Sequence, residues 1–409
     1  MEENEFDIHL EDDAAEEEAY FPEKSRKWIY FAIGSLAFVL LVLVFLLLSG
    51  RKSDAPTVSH IPDESYIAPV SAPDPVSEAL LSEEEPVMKE VSEEETFRHG
   101  WIINDFGYTY LYGDLAVEQF NYSDKTFLQF VNCVKAISDL SPSGTSVFCM
   151  PVPTRIGFLY PEIGNDIKKQ DDFYNSSQSA FLDSLEEALP DSVTTVNLYP
   201  PFSEAYQTGT DLFFRTDRNW TSDAAFLAYK AFCKASGNPQ TSLEVYEREV
   251  IPGFLGSFYT ATEAEALLES PDDFILYHNE DTDACTVALH DGIYVNKNLS
   301  LCAGGSSDLT ALYNAYLGTD GGYFVINSPG HSEKKLLLLG DRSCEALLPF
   351  LIQNYSEVHY VNVTKFQDDL QTIIYKNQFK DILIVSYLTN AVKGDFPVML
   401  ETVAGVQHG

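Results

Sequence analysis

Basic residues are scarce in this sequence. Its 409 residues include 25 Lys and Arg against 63 Asp and Glu, which gives a formal net charge of −38. A nucleic-acid-binding protein needs clustered Lys and Arg to displace counterions from phosphates, and the sequence has no such cluster. Nucleic acid is therefore excluded as a partner. Hydrophobic residues make up 45% of the chain and aromatic residues 13%, which is ample material for a globular core.

The sequence also lacks the cysteine patterns of metal sites. Its six cysteines form neither a C-x-x-C pair nor a zinc-ligand spacing, so we predict no metal and no cofactor. Cys133, Cys149 and Cys344 stand in apolar runs, where a small buried thiol is the simplest interpretation. Cys285 and Cys302 flank a predicted hairpin and are the best candidates for a disulfide.

Charge is absent from residues 28–50, an apolar stretch of 23 residues. As a helix it would span about 34 Å, enough to cross a hydrocarbon core of about 30 Å. A cleavable signal peptide has a shorter apolar core and a small-residue cleavage site, which this stretch lacks. We predict an uncleaved signal anchor that crosses the plasma membrane once. Three basic residues precede it and two follow, which favours a cytoplasmic tail over residues 1–27 and an extracellular carboxyl-terminal body.

Residues 51–98 combine proline with acidic clusters and carry twelve acidic against four basic residues. Such a sequence cannot bury enough apolar area to offset its ordering entropy, and proline with like charge keeps it extended. We predict a disordered stalk that holds the body away from the membrane. The acidic tail, residues 1–27, is interpreted as solvated chain.

Residues 99–409 alternate between strand-like and helix-like runs. The run Lys335–Gly340 is almost wholly apolar, as expected for a central parallel strand buried on both faces. The βαβ alternation predicts an α/β fold with a doubly wound parallel sheet, in which ligands bind beyond the carboxyl ends of the strands. Between about residues 245 and 331, glycines, aromatics and short β-like pieces predict an inserted antiparallel lobe.

Two polar segments, both placed after predicted strands, form the candidate site. Residues 215–221 read R-T-D-R-N-W-T and precede a predicted helix over Ser222–Ser236. Residues 340–343 read G-D-R-S and stand between a predicted buried strand and a predicted helix over about 344–354. Since the carboxyl ends of parallel strands share one edge of a sheet, the two segments are expected to meet there.

The two segments resemble the DHHW family of bacterial cell-envelope proteins, which is SGNH-hydrolase-like and related to the alginate O-acetyltransferases of the AlgJ and AlgX type. In those relatives D-x-H-W-T supplies the acid and the base of a Ser-His-Asp triad, and a later G-D-S supplies the nucleophile. Residues 150–155 (M-P-V-P-T-R), 160–162 (Y-P-E) and 348–351 (L-P-F-L) resemble further family motifs. The resemblance covers about residues 100–395 and implies a three-layer α/β/α fold.

The active-site positions depart from the family pattern. Asp217 is retained, but Asn219 stands at the histidine position and Arg342 at the serine position, with Ser343 next to it. An amide cannot take a proton from a serine hydroxyl at neutral pH. Loss of single triad members already costs several orders of magnitude in rate. The resemblance therefore implies a pseudoenzyme that keeps relict catalytic positions.

Purely structural roles stay open for the same residues. Asp217 could cap the helix that follows it, or pair with Arg215 or Arg218. Arg342 could bind an anion, or pair with Asp217 or Asp341. Trp220 is expected to pack in the core with its indole N–H satisfied.

Three functions remain open on this basis. The first is a non-catalytic, membrane-anchored envelope protein that binds glycan, for which Tyr and Phe rings are available to stack on sugars. The second is an active O-acetyltransferase or esterase for cell-wall or exported polysaccharide, with Ser343 as a displaced nucleophile. The third is a structural or assembly component of the envelope. The sequence identifies no protein partner.

Overall fold

The computed structural model describes residues 99–104, 107–167, 175–305, 308–329, 332–392 and 395–405. All of them fall in the second of two units into which the chain divides, Met88–Gly409. The predicted cytoplasmic tail, membrane anchor and stalk (residues 1–27, 28–50 and 51–98) lie outside the described residues. Within these ranges, no helix is both long and apolar enough to cross a membrane.

Helices and strands alternate along the described chain. The strands are β1 (His99–Asn104), β2 (Gly107–Tyr112), β3 (Leu115–Glu118), β4 (Ser146–Val152), β5 (Val193–Thr195), β6 (Glu247–Phe254), β7 (Asp272–His278), β8 (Thr286–Asp291), β9 (Tyr294–Leu299), β10 (Tyr323–Asn327), β11 (Lys335–Gly340), β12 (Glu357–Asn362) and β13 (Asp381–Tyr387). The α-helices are α1 (Asp124–Leu140), α2 (Arg155–Ile167), α3 (Gln178–Ala188), α4 (Tyr199–Gln207), α5 (Ser222–Ser236), α6 (Ser257–Thr262), α7 (Glu265–Leu268), α8 (Glu280–Ala284), α9 (Leu348–Leu351), α10 (Leu370–Asn377), α11 (Leu388–Val392) and α12 (Asp395–Val403).

The central sheet has eight strands in the order β5-β4-β13-β11-β12-β10-β8-β9. The first five are parallel to one another, whereas β10, β8 and β9 pair antiparallel at the other side of the sheet. The predicted α/β class is confirmed, but the prediction of a wholly parallel sheet is wrong. The antiparallel strands come from the segment predicted as a separate lobe. Within that segment only β6 and β7 form a sheet of their own.

The central strand β11 shows why both faces of the sheet are covered. Leu336 and Leu338 join one hydrophobic cluster, with side chains of α5 and α9, while Leu337 and Leu339 join another, with side chains of α1, α3, α10 and α12. All four leucines are fully buried, and each contributes about 1.5–3 kcal/mol relative to exposure. Helices therefore form a layer on each face of the sheet.

Local signals explain the elements next to the site. Helix α5 begins and ends at its predicted residues, because the Thr221 hydroxyl accepts a hydrogen bond from the Ala224 N–H and Gly237 adopts the left-handed conformation that ends helices. The last residue of β11 is Gly340, where a larger residue does not fit because a Cβ would lie 2.1 Å from the Cys344 sulfur. After it, a 3₁₀-helix over Arg342–Leu347 and then α9 replace the longer helix predicted over 344–354.

All six cysteines are free thiols, and five are buried. The prediction of buried thiols at Cys133, Cys149 and Cys344 is confirmed. Cys285 and Cys302 do flank the β8–β9 hairpin, but the structure contains no disulfide between them. Burial raises the pKa of both thiols to about 12.

Candidate functional site

The first candidate segment is an irregular loop that precedes α5 as predicted, but it follows helix α4, whereas we predicted that it follows a strand. The buried carboxylate of Asp272 organises it, accepting hydrogen bonds from the backbone N–H of Arg215 at 2.9 Å and of Thr216 at 2.8 Å. A single bridge between Phe213 and Trp220 closes the loop. Its conformation therefore depends on the start of β7, which is far away in sequence.

Asp217 is buried at the centre of this loop. Its Oδ1 accepts the backbone N–H of Asn219 at 2.7 Å, and its Oδ2 accepts that of Ser257 at 2.6 Å. Burial raises the pKa of Asp217, and these hydrogen bonds partly oppose the shift. The capping role predicted for Asp217 on α5 is wrong, since Thr221 caps that helix. Gly256 packs so closely that a Cβ there would lie 2.1 Å from the Asp217 Cβ.

Two arginines flank Asp217 and have carboxylate partners in neighbouring elements. Arg215 pairs with Asp114 at 2.9 Å. Arg218 pairs with the buried Glu118 of β3 at 3.1 Å, and also donates to Asn390 at 2.7 Å. The flanking arginines thus tie the loop to β3 and α11.

Asn219 is half-buried, and its backbone carbonyl accepts the Phe214 N–H. Its side-chain amide has no hydrogen-bond partner among the described residues. The amide therefore keeps both its donors and its acceptor for a ligand.

The second candidate segment follows β11 as predicted. Asp341 caps the 3₁₀-helix: its Oδ1 accepts the Ser343 N–H at 2.9 Å and also the Ser343 hydroxyl. The Tyr360 hydroxyl donates to the Asp341 carbonyl at 3.0 Å. Ser343 is only 2% exposed, and its hydroxyl stabilises the turn through the hydrogen bond to Asp341.

Arg342 has partners that the sequence does not indicate. Its Nη2 donates to Asn314 Oδ1 at 2.6 Å, its Nη1 lies 3.9 Å from Asp320 Oδ2, and its Nε lies 3.6 Å from Glu345 Oε2. The predicted alternatives, pairs with Asp217 or with Asp341, are not the ion pairs that the structure forms. One weak signal was present: Glu345 is a charged residue inside an otherwise apolar run, Cys344–Leu348.

Glu345 is fully buried, and neither carboxylate oxygen has a hydrogen-bond partner in the described part of the chain. Burial raises its pKa well above the ordinary range, although Arg342 opposes this. Glu345 therefore stays protonated where an exposed carboxyl would ionise.

The two segments share one cavity of about 400 Å³. Asp217, Asn219 and Arg342 all line it, whereas Ser343 does not. The remaining lining comes from the β6–α6 region and the chain before β10: Phe254, Ser257, Thr260, Ala261, Thr310, Ala311 and Tyr313. The two segments therefore lie close together as expected, with Asp217, Asn219 and Arg342 at one cavity and Ser343 outside its lining.

No histidine lines this cavity in the described ranges. His359 is buried in the sheet, where Nδ1 lies 2.6 Å from the Tyr323 hydroxyl and Nε2 contacts Glu357. His278 lies on β7 beside Asp283. Among the described residues no group of three His, Cys, Asp or Glu side chains is placed to hold a metal ion.

Comparison with known proteins gives the same picture of the fold. A DHHW family protein from Eubacterium siraeum superposes with a TM-score of 0.61 at 22% identity, covering 74% of this chain and 98% of that one. PatB1 of Bacillus cereus, described with a sulfonyl adduct, superposes with a TM-score of 0.55 at 17% identity, covering 69% and 97%.

Among curated proteins, none matches this chain. The model of the family described as DHHW protein matches residues 96–361, which is more than half of the 409 residues. The chain therefore belongs to the DHHW protein family.

Proposed function

We propose that this protein is a membrane-anchored component of the cell envelope whose SGNH-like body is catalytically inactive and binds glycan in the cavity lined by Asp217, Asn219 and Arg342. One observation carries the proposal. At the position of the family's histidine, a free amide lines an open cavity, next to a retained and buried aspartate.

The cavity has no group that can act as the catalytic base of a triad. Asn219 is neutral and its amide nitrogen has no available lone pair to accept a proton. Asp217, which in a triad would orient an imidazole, instead has both oxygens occupied by backbone N–H groups. Asp217 thus stabilises the backbone around it and has no oxygen left to orient an imidazole.

The cavity also offers no nucleophile at the family's serine position, where Arg342 stands. Arg342 cannot attack an acyl carbon, because its guanidinium stays protonated. The neighbouring Ser343 is buried, donates to Asp341 and does not line the cavity. This arrangement argues against an esterase or O-acetyltransferase that uses Ser343.

The same lining suits a polyhydroxylated ligand. A volume of about 400 Å³ lies within the usual range of small-molecule sites, roughly 300–1,000 Å³. The Asn219 amide can donate to one sugar hydroxyl and accept from another. Binding without turnover follows from this lining.

Membrane anchoring rests on the uncharged stretch at residues 28–50. Protease treatment of intact cells tests it. We expect digestion of the body, residues 99–409, from outside, whereas a protected body would contradict the proposed orientation.

The catalytic part of the proposal is tested on the full-length chain in detergent. We expect no hydrolysis of p-nitrophenyl acetate above background, and no labelling by a sulfonyl fluoride, the reagent class chosen because of the adduct described for PatB1. Turnover or labelling that Ser343→Ala abolishes would establish an active enzyme and overturn the proposal.

The binding part is tested with soluble oligosaccharides of envelope polysaccharides by calorimetry. Asn219→Ala should weaken binding about tenfold, as expected for one or two lost hydrogen bonds. Asn298→Ala, an exposed asparagine on β9, is the matched control and should leave binding unchanged. If no oligosaccharide binds the wild-type chain, glycan binding is wrong.

A further inference from the structure

The charges around the cavity are unusual for this protein. Its formal net charge is −38, yet Arg342 is the one basic residue among the described residues that line the cavity. The Arg342 side chain is 32% exposed, so its guanidinium remains accessible from the cavity. What this cation attracts depends on how well its own neighbours neutralise it.

Asp320 neutralises Arg342 only weakly. Its Oδ2 lies 2.6 Å from the Lys365 ammonium but 3.9 Å from Arg342 Nη1. Asp320 is thus mainly the partner of Lys365, and one carboxylate is shared between two cations. The closest partner of Arg342, Asn314 at 2.6 Å, is a neutral amide.

Glu345 is also a weak partner of Arg342, since its Oε2 lies 3.6 Å from Arg342 Nε and accepts no hydrogen bond from the described residues. It is fully buried, neither oxygen accepts a hydrogen bond among the described residues, and Arg342 Nε is likewise without a hydrogen-bond acceptor there. Burial also raises the pKa of Glu345 well above the ordinary range, which favours the neutral carboxyl, although Arg342 opposes this shift.

Asp217, the acid among the described lining residues, is not an ion-pair partner of Arg342. Both of its oxygens accept backbone N–H groups, and it is only 5% exposed. The guanidinium of Arg342 is therefore an incompletely neutralised cation at the cavity wall.

We propose that the cavity selects glycans that carry an anionic substituent, a carboxylate or a phosphate ester, and that Arg342 is the side chain that contacts this group. This inference rests on the proposed glycan binding and adds the chemical class of the ligand. A guanidinium with free N–H groups recognises such oxyanions by charge-assisted hydrogen bonds. On this view Asp320 competes with the ligand for Arg342.

The test compares sugars of one ring size on the full-length chain: glucose, glucuronate and glucose 6-phosphate, with inorganic phosphate and acetate as the anions alone. We expect the two charged sugars to bind at least about tenfold more tightly than glucose, a difference of the size expected for one charge-assisted hydrogen bond. The carboxylate and phosphate arms then identify which anion fits.

Two variants with opposite expected effects make the test sharp. Arg342→Gln should abolish the preference for charged sugars over glucose. Asp320→Asn should increase the affinity for charged sugars, because it removes the competing carboxylate. Unfolding temperatures of both variants show that they fold, and Lys297→Gln, an exposed lysine on β9, is the matched surface control.

The outcomes separate the two proposals. Equal binding of glucose and the charged sugars, or a preference that persists in Arg342→Gln, overturns the anionic class and leaves glycan binding intact. Binding of phosphate alone, with no sugar bound, supports the cation site and overturns glycan binding. If nothing binds, both are wrong.

Discussion

The indole Nε1 of Trp220 donates a hydrogen bond of 2.9 Å to the backbone carbonyl of Ser343, across 123 residues of sequence. The Trp220 N–H also donates to the Tyr387 hydroxyl, and its carbonyl accepts the Tyr313 hydroxyl at 3.1 Å. One fully buried side chain thus joins the two candidate segments. Asn219 precedes Trp220 and Arg342 precedes Ser343 in the sequence, and both of these neighbours line the cavity.

We expect Trp220→Phe to lower the free energy of unfolding by about 1–3 kcal/mol, because the buried carbonyl of Ser343 would lose its donor. Chemical denaturation of the full-length chain measures this. Tyr375→Phe, at a side chain that is 82% exposed, is the control and should have little effect. An unchanged midpoint in Trp220→Phe would show that this hydrogen bond does not join the segments.

Gly256→Ala should distort the site. The added Cβ would lie 2.1 Å from the Asp217 Cβ, and Asp217 is held by two hydrogen bonds and cannot move freely. We expect a loss of about 1–3 kcal/mol in stability and weaker glycan binding. Gly164→Ala is the control, since its Cβ would make an ordinary contact of 3.4 Å with the Tyr160 ring. If Gly256→Ala behaves like the control, the close packing around Asp217 is not required.

Glu345 predicts a pH dependence of stability. Because its folded-state pKa is raised above the ordinary value of 4.5, the folded chain holds a proton that the unfolded chain releases. This contribution to stability is complete below pH 4.5 and is lost as the pH rises through the folded-state pKa. Arg342, Asp320 and Asp341 are the charged groups that face Glu345 and enter this balance.

Glu345→Gln stays neutral at every pH. We expect its unfolding temperature, relative to wild type, to rise with pH above about 4.5, the ordinary pKa of the group. Thermal unfolding from pH 4 to 9 measures this difference. Glu187→Gln, an exposed glutamate on α3, should give a nearly constant difference. A falling difference for Glu345→Gln would show that Glu345 is ionised and stabilises Arg342.

If Asn219 and Arg342 occupy the family's histidine and serine positions, as proposed, their replacement should produce a gain of activity. Asn219→His together with Arg342→Ser restores the triad residue types around Asp217, so the double variant should hydrolyse p-nitrophenyl acetate above the wild-type background. Each single variant should remain silent, since nucleophile and base act as a unit. The rate should be modest, because a misplacement of about 1 Å costs around a hundredfold. Equal activity in one single variant would contradict the assignment of these two positions.

Local sequence features, such as helix caps and the spacing of apolar residues, predicted several helices and strands of residues 99–409. Helix α5 has the predicted bounds because Thr221 caps its start, Gly237 ends it, and the apolar residues between them recur at helical spacing. Strand β11 follows from a run of leucines that only a strand covered on both faces can bury. The prediction of a wholly parallel sheet was wrong because β10 pairs antiparallel with β12. An apolar strand pattern does not specify which strand lies next to it or in which direction that strand runs.

The sequence by itself determined which residues stand at 219 and 342, and from its resemblance to the family pattern we predict that Asn219 and Arg342 occupy the histidine and serine positions. Only the tertiary structure decided what those replacements do. Asn219 and Arg342 line a cavity that distant segments complete, and Arg342 lies beside Glu345 and Asp320. Asp320 lies near Arg342 only in the folded chain, and burial in the folded core raises the pKa of Glu345.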